Sequence, residues 1–165
     1  MDVVALAQAG FANAVATLGT ACTPDHVQKL FRFTDSVVFS FDGDAAGRRA
    51  AGRALEASLP HASDTRTVRF LFLPVEHDPD SYVREHGAAA FERCVAEAVP
   101  LSRQIAEAAA EGCNLDDAEG RARMLANARP LWAALPDGAL RLQVLGDLAA
   151  RGRLETGELD RKSVV

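Results

Sequence analysis

Val37-Val38-Phe39-Ser40-Phe41-Asp42-Gly43-Asp44-Ala45-Ala46-Gly47-Arg48 decides how this chain is read. A run of β-branched and aromatic residues stops at two acids, and an alanine-rich stretch follows at once. Short apolar runs bounded by turn residues read as buried strands. A strand that ends in carboxylates and turns into a helix carries charge to the edge of an α/β sheet, where ligands bind. Asp42 and Asp44 lie two residues apart, so both side chains point to one side while the backbone stays extended. Two carboxylates held that close repel each other and favour a cation between them. Oxygen donors alone suit Mg²⁺ or Mn²⁺ better than zinc. The same acids also suit the N-terminus of the following helix, where a carboxylate caps and complements the dipole. On these residues alone both readings stand.

Two other Asp-x-Asp chemistries are disfavoured. An EF-hand loop needs an acid at its twelfth position, which here is Arg53. An aspartyl-phosphate phosphatase of the haloacid dehalogenase type needs a lysine downstream near the phosphate, and the lysines are Lys29 and Lys162.

Outward from this segment, Asp2 to Gly10 reads as a short helix with Gly10 at its C′ position. Asn13-Ala14-Val15-Ala16-Thr17-Leu18 reads as a strand ending in Gly19-Thr20. Thr23-Pro24 opens a helix with Val27, Leu30 and Phe31 on its apolar face. The helix from about Ala45 to Leu59 turns Gly47, Ala51, Ala54 and Leu55 one way and Arg48, Arg49 and Arg53 the other. Thr67 to Leu73 is a further strand, and it too runs into acids, Asp78-Pro79-Asp80. Pro79 biases Asp78 towards extended backbone, and Asp80 also suits a helix cap. Strand-helix alternation implies a mainly parallel sheet. Parallel neighbours end on one edge, so the two acid pairs should converge, and convergence favours a metal site.

After Pro100 the strand signals stop. Leu101 to Glu111, Asp117 to Leu135 and Asp137 to Arg151 read as helices, with Asp116, Asp117 and Asp137 as N-caps and a kink or break at Pro130. Trp132 reads as packing. The expected architecture is an α/β unit over residues 1–99 and a helical subdomain over residues 100–165.

The 165 residues carry a formal charge of −5, which argues against a surface given over entirely to nucleic acid. It leaves room for a polynucleotide enzyme whose acids bind metal. Cys22, Cys94 and Cys113 are odd in number and widely spaced, which disfavours a disulfide framework or a zinc site and points to a reducing compartment, the cytoplasm. No apolar stretch is long enough to span a membrane. Of His26, His61, His77 and His86, only His77 lies beside an acid pair, and a surface loop accounts for it.

Asp42-Gly43-Asp44-Ala45-Ala46-Gly47-Arg48 with Asp78-Pro79-Asp80 downstream resembles the Toprim fold. With Met1-Asp2-Val3-Val4-Ala5-Leu6, Asn13 to Thr20 and Phe72-Leu73-Pro74, the set is similar to bacterial DnaG-type primases. The resemblance implies synthesis of short RNA primers from ribonucleoside triphosphates on single-stranded DNA. It implies catalytic, metal-holding roles for Asp42 and Asp44, with Asp78, Asp80 and Asp2 completing an acidic cluster for Mg²⁺ or Mn²⁺. Gly19 and Thr20 would approach a phosphate through backbone amides, though a plain tight turn serves as well. Met1-Asp2 is similar to the end of a Glu-Gly-Tyr-Met-Asp motif whose glutamate is the family's main catalytic acid. On that likeness the chain is a fragment, inactive in isolation. The zinc module and the domain that docks the replicative helicase would then lie outside it. Two alternatives remain: another Toprim enzyme, nuclease- or topoisomerase-like, with Tyr82 as the one tyrosine, or a non-catalytic module that binds metal or a partner.

Overall fold

A computed structural model describes residues 2–17 and 21–161. Its centre is a three-stranded sheet in the order β1-β2-β3, with β1 at Ser36–Phe41, β2 at Thr67–Phe72 and β3 at Val99–Pro100. β1 and β2 pair in parallel from Ser36 opposite Thr67 to Phe41 opposite Phe72. β3 joins β2 antiparallel through Arg69–Pro100 and Phe70–Val99. The sheet is therefore mixed, and its longer pairing is the parallel one. The hydrogen bond from Leu73 N to Phe41 O carries the parallel register past the strand ends, so the two acid-bearing loops leave side by side.

Helices cover both faces. α1 (Asp2–Gln8), α4 (Pro79–His86) and α5 (Ala88–Ala96) lie on one side, α2 (Pro24–Leu30) and α3 (Ala45–Ser58) on the other. Alternation along the strands explains the two cores. Val37, Val68 and Phe70 join the larger cluster with Val27, Ala51, Ala54 and Leu55. Leu71 and Leu73 turn the opposite way, to Leu6 and Phe91. Phe39, Phe41, Phe70 and Phe72 form a ladder across the first face, with centroid separations of 5.7 Å for Phe39–Phe70 and 5.9 Å for Phe41–Phe72. Such cross-strand aromatic pairs favour this register beyond simple burial.

α6 (Leu101–Ala110), α7 (Ala118–Ala133), α8 (Ala139–Arg151) and α9 (Thr156–Arg161) follow. The change from strand to helix falls at Pro100, yet one apolar cluster runs through it: Ile105, Met124, Val144 and Leu148 belong to the same core as Phe70. Trp132 is buried, donates from Nε1 to Arg141 O at 3.0 Å and lies under the Arg141 guanidinium, a packing role.

Three expectations need correction. Among the described residues, 13–17 form no strand: Ala14 N bonds back to Phe11 O in a turn, and Ala14 packs on the Leu6 cluster. A short segment in which only Val15 and Thr17 are β-branched makes no strand without a neighbour to pair with; Leu18 lies outside the described residues. Pro130 neither ends nor splits α7, because a proline removes only one hydrogen bond and the buried Ala128 and Trp132 hold the last turn in place. Asp117 caps α7 as expected, but Asp137 does not cap α8 and is ion-paired with Arg141 at 2.5 Å. Asp64, distant in sequence, caps α8 instead, accepting from Ala139 N at 3.1 Å and Leu140 N at 2.7 Å.

Candidate functional site

Two loops leave the adjacent ends of β1 and β2, and each starts a helix on a carboxylate. Asp44 is the N-cap of α3 and accepts from Gly47 N at 2.7 Å. Asp78 is the N-cap of α4 and accepts from Ser81 N at 2.7 Å, while Ser81 Oγ closes a capping box on Asp78 N. The capping reading holds for Asp44 but not for Asp42, and at the second pair the cap is Asp78 rather than the expected Asp80, which lies inside the first turn of α4; capping does not compete with cation binding. Each cap bond uses one carboxylate oxygen, and a carboxylate has two.

Glycine sets how closely the loops approach. A Cβ on Gly43 would stand 2.2 Å from Leu73 O, so the Asp42-Gly43-Asp44 turn lies directly against the chain leaving β2. A Cβ on Gly47 would stand 1.9 Å from Asp42 O, so α3 begins pressed onto the backbone of Asp42. Those contacts leave no room for a side chain, and the one at Gly43 brings the two acid loops together.

The electrostatics show the convergence. The Asp42 carboxyl is pushed above its ordinary value by burial, then by the charges of Asp44, Asp2 and Asp78. Asp2 comes from α1 on the far side of the sheet, so three segments deliver acids to one place. Asp78 is held below the ordinary value by its bonds to Ser81. Asp80 behaves differently: its Oδ1 lies 2.6 Å from Arg84 Nε one turn along α4, off the line of a hydrogen bond, and is otherwise buried without a hydrogen-bond partner. The carboxylates are repelling neighbours rather than a closed cage. Among the described residues, three donor atoms come within 4.8 Å of one another only at His77, Glu85 and His86. Open oxygen-only clusters suit hard divalent ions that keep part of their water. Mutual repulsion at Asp42 is what such an ion would relieve, so the residues present fit the implied Mg²⁺ or Mn²⁺.

Gly19 and Thr20, assigned to phosphate, lie outside the described residues. Arg48, Arg49 and Arg53 are exposed along α3, behind the acids in sequence. Tyr82 Oη and Cys94 Sγ are hydrogen-bonded at 3.3 Å, and this contact, ahead of burial, pushes the phenol's pKa up. Sequence reasoning missed Asp64 altogether, because a cap supplied from another element leaves no local signal. It also passed over Glu85 and His86, whose relation to His77 crosses the length of a helix.

Comparison with known proteins agrees with this geometry. A family model described as Toprim-like matches residues 1–83. A second, described as the DnaB-helicase binding domain of primase, matches residues 104–155, which stands against the expectation that the helicase-docking segment lies outside the chain. The DNA primase of Escherichia coli strain K12 is 46% identical over 162 residues, covering 98% of this chain and 28% of that protein. A solved DNA primase domain from Pseudomonas aeruginosa superposes with a TM-score of 0.93 at 42% identity, covering 99% of this chain and 51% of that one. A structure of the DnaG primase catalytic domain bound to ssDNA gives a TM-score of 0.90 at 43% identity, over 95% of this chain and 50% of the other. The chain thus spans under a third of the curated relative and about half of the solved domains. The catalytic-domain likeness includes α6 to α8, the helices that the helicase-binding model also matches. Acids from three segments converging beside a parallel strand pair, and the sequence and structural likeness together, identify this chain as a member of the Toprim-containing DnaG-type primase family.

Proposed function

We propose that this chain provides the metal-binding α/β part of a primase polymerase and the helices that buttress it. Template-directed synthesis of RNA primers on single-stranded DNA would be the activity it serves. The observation that carries this reading is the side-by-side exit of the two acid-bearing loops from the parallel pair β1 and β2, with Gly43 closed against Leu73 O.

Asp42 and Asp44 would hold a divalent ion, and Asp78, Asp80 and Asp2 would extend the cluster to a further one. When bound, Mg²⁺ or Mn²⁺ neutralises triphosphate charge and makes a primer 3′-hydroxyl a better nucleophile. The protein's own part is positioning. The cap bonds from Gly47 N and Ser81 N fix the Asp44 and Asp78 carboxylates, and the contacts at Gly43 and Gly47 fix the loops that carry them. Arg48, Arg49 and Arg53 offer cations to a phosphate backbone. The division at residue 100 into an α/β unit and a helical subdomain belongs to the same proposal, as do a cytoplasmic location and contact of the helical part with a replicative helicase. Among the described residues no helix is long and apolar enough to cross a membrane. A topoisomerase-like role is less well supported, since Tyr82 sits packed among His77, His86 and Phe91 and its phenol is made harder to ionise.

Two measurements test the reading. Mn²⁺ is titrated into the wild type and into Asp42→Asn plus Asp44→Asn; equal affinity would sink the metal assignment. Apo stability of the double variant should hold or rise, because like-charge repulsion is relieved. The matching 162 residues of the Escherichia coli primase are then exchanged for this chain and primer synthesis on single-stranded DNA is assayed. The exchange should support priming, and the double variant should lower it by orders of magnitude. Undiminished priming in the variant would refute the catalytic role.

A further inference from the structure

Beside the acid loops lies a second set of donors, different in kind. His77 ends the loop after β2, and Glu85 and His86 form the last turn of α4. His77 Nε2 is 3.8 Å from Glu85 Oε2, and His86 Nε2 is 3.9 Å from Glu85 Oε1, so one carboxylate is bracketed by two imidazoles. One donor atom from each of the three residues falls within 4.8 Å of the others.

The rings are held rather than free. His77 and His86 meet edge to face at 5.1 Å, and Tyr82 packs against His86 at 4.6 Å and His77 at 5.5 Å. Tyr82 is backed in turn by Phe91 and by the Cys94 thiol. His77 Nδ1 lies 3.4 Å from Ser81 Oγ, which orients the ring and turns Nε2 towards Glu85. An outer hydrogen bond of that kind fixes the tautomer and direction of a metal-ligating histidine.

We propose that His77, Glu85 and His86 form a binding site for a transition-metal ion of the zinc class, with water as the fourth ligand. Two imidazoles and one carboxylate are a donor set for a borderline ion in tetrahedral geometry. Mg²⁺ and Mn²⁺ favour oxygen and would stay with the aspartates. Metal–ligand bonds of about 2.1 Å place neighbouring tetrahedral donors roughly 3.4 Å apart, so donors already within 4.8 Å of one another need only close by about 1.4 Å at most. Glu85 is 65% exposed and His86 40% exposed, so both have freedom to close, while His77 at 13% is the fixed point. An ion here would tie the residue immediately before Asp78 to the far end of α4. It would stiffen the helix that starts on that acid. This site departs from the expectation that zinc has no place in the chain, and it rests on donors the acid cluster does not use.

The test is calorimetric titration of Zn²⁺ alone into the wild type, His77→Ala, His86→Ala and Asp42→Asn plus Asp44→Asn, with circular dichroism to verify folding. Glu85→Gln, at an exposed position, replaces any histidine variant that fails to fold. The wild type should take one Zn²⁺ at this site, undisturbed by excess Mg²⁺. Each ligand variant should bind at least about tenfold more weakly, and the aspartate double variant should match the wild type. Co²⁺ should give a visible tetrahedral absorption band in the wild type that the ligand variants lack. Three results would overturn the proposal: no Zn²⁺ binding by the wild type, equal affinity in the histidine variants, or loss confined to the aspartate variant. The first would leave the three residues as a packed polar cluster against the last turn of α4.

Discussion

Replacing Gly47 by alanine should destabilise this protein even though alanine is the better helix former. The added Cβ would lie 1.9 Å from Asp42 O, 2.8 Å from Asp42 C and 3.1 Å from Asp42 N. An ordinary non-bonded contact is about 3.5 Å, so the overlap with the carbonyl oxygen is roughly 1.6 Å. All three atoms are backbone, and none can swing aside. The first turn of α3 must lift off the Asp42 loop, and overpacking of that kind costs about 1–3 kcal/mol. The 2.7 Å bond from Gly47 N to Asp44 goes with it, a cap worth about 1 kcal/mol. Helix propensity returns about 1 kcal/mol. The net loss is about 1–3 kcal/mol, and each kcal/mol lowers Tm by about 2–4 °C in a chain of this size. Gly52 provides the control, because it lies in the same helix and a Cβ there meets nothing within 4 Å. Gly52→Ala should gain about 0.5–1 kcal/mol. Urea denaturation followed by far-ultraviolet circular dichroism gives both values. Mn²⁺ affinity should fall in Gly47→Ala and hold in Gly52→Ala. If the two variants are equally stable, the close approach of α3 to Asp42 is refuted.

Asp44→Asn should keep the cap and leave stability unchanged or slightly higher, whereas Asp44→Ala should lose about 1 kcal/mol; chemical denaturation separates them, and both should weaken Mn²⁺ binding. Phe70→Ala removes a fully buried ring from the aromatic ladder and should cost about 3–5 kcal/mol in the same assay. Asp64→Ala should lower Tm at neutral pH, since two backbone donors at the start of α8 lose their acceptor. Those bonds hold the Asp64 carboxyl below its ordinary value, so its contribution is present above the ordinary carboxylate range and is lost as pH falls through the depressed value. Melting wild type and Asp64→Ala across acid pH should show the gap closing; a pH-independent gap would refute the capping role.

Most of the α/β half was legible because its signals are local. Val37 to Phe41 and Thr67 to Phe72 carry the strand composition, Thr23-Pro24 carries a helix start, and Gly10, at φ +101°, carries a helix stop. The candidate acids were legible as residues, and so was the approach of the two loops that carry them, because parallel strands must end on one edge; the turn of Asp80 towards Arg84 was not foreseen. The expected strand at Asn13 to Leu18 failed among its described residues because composition cannot supply a pairing partner. Of the kink or break expected at Pro130, the break is absent because burial of Ala128 and Trp132 outweighs one missing hydrogen bond.

The sequence by itself determined that Val37 to Phe41 and Thr67 to Phe72 would be strands, where most of the helices would lie, and that carboxylates would stand where strand becomes helix, but not the short β3 at Val99–Pro100. Those properties follow from spacing along the chain, through the period of the backbone and the chemistry of caps. Tertiary structure alone decided which charges act on one another. Asp2 acts on Asp42 from a helix on the opposite face of the sheet. Asp64 caps a helix more than seventy residues away, and Glu85 lies between His77 and His86. The physical reason is that Coulomb forces and hydrogen bonds depend on distance in space, and packing sets that distance only after the local elements have formed.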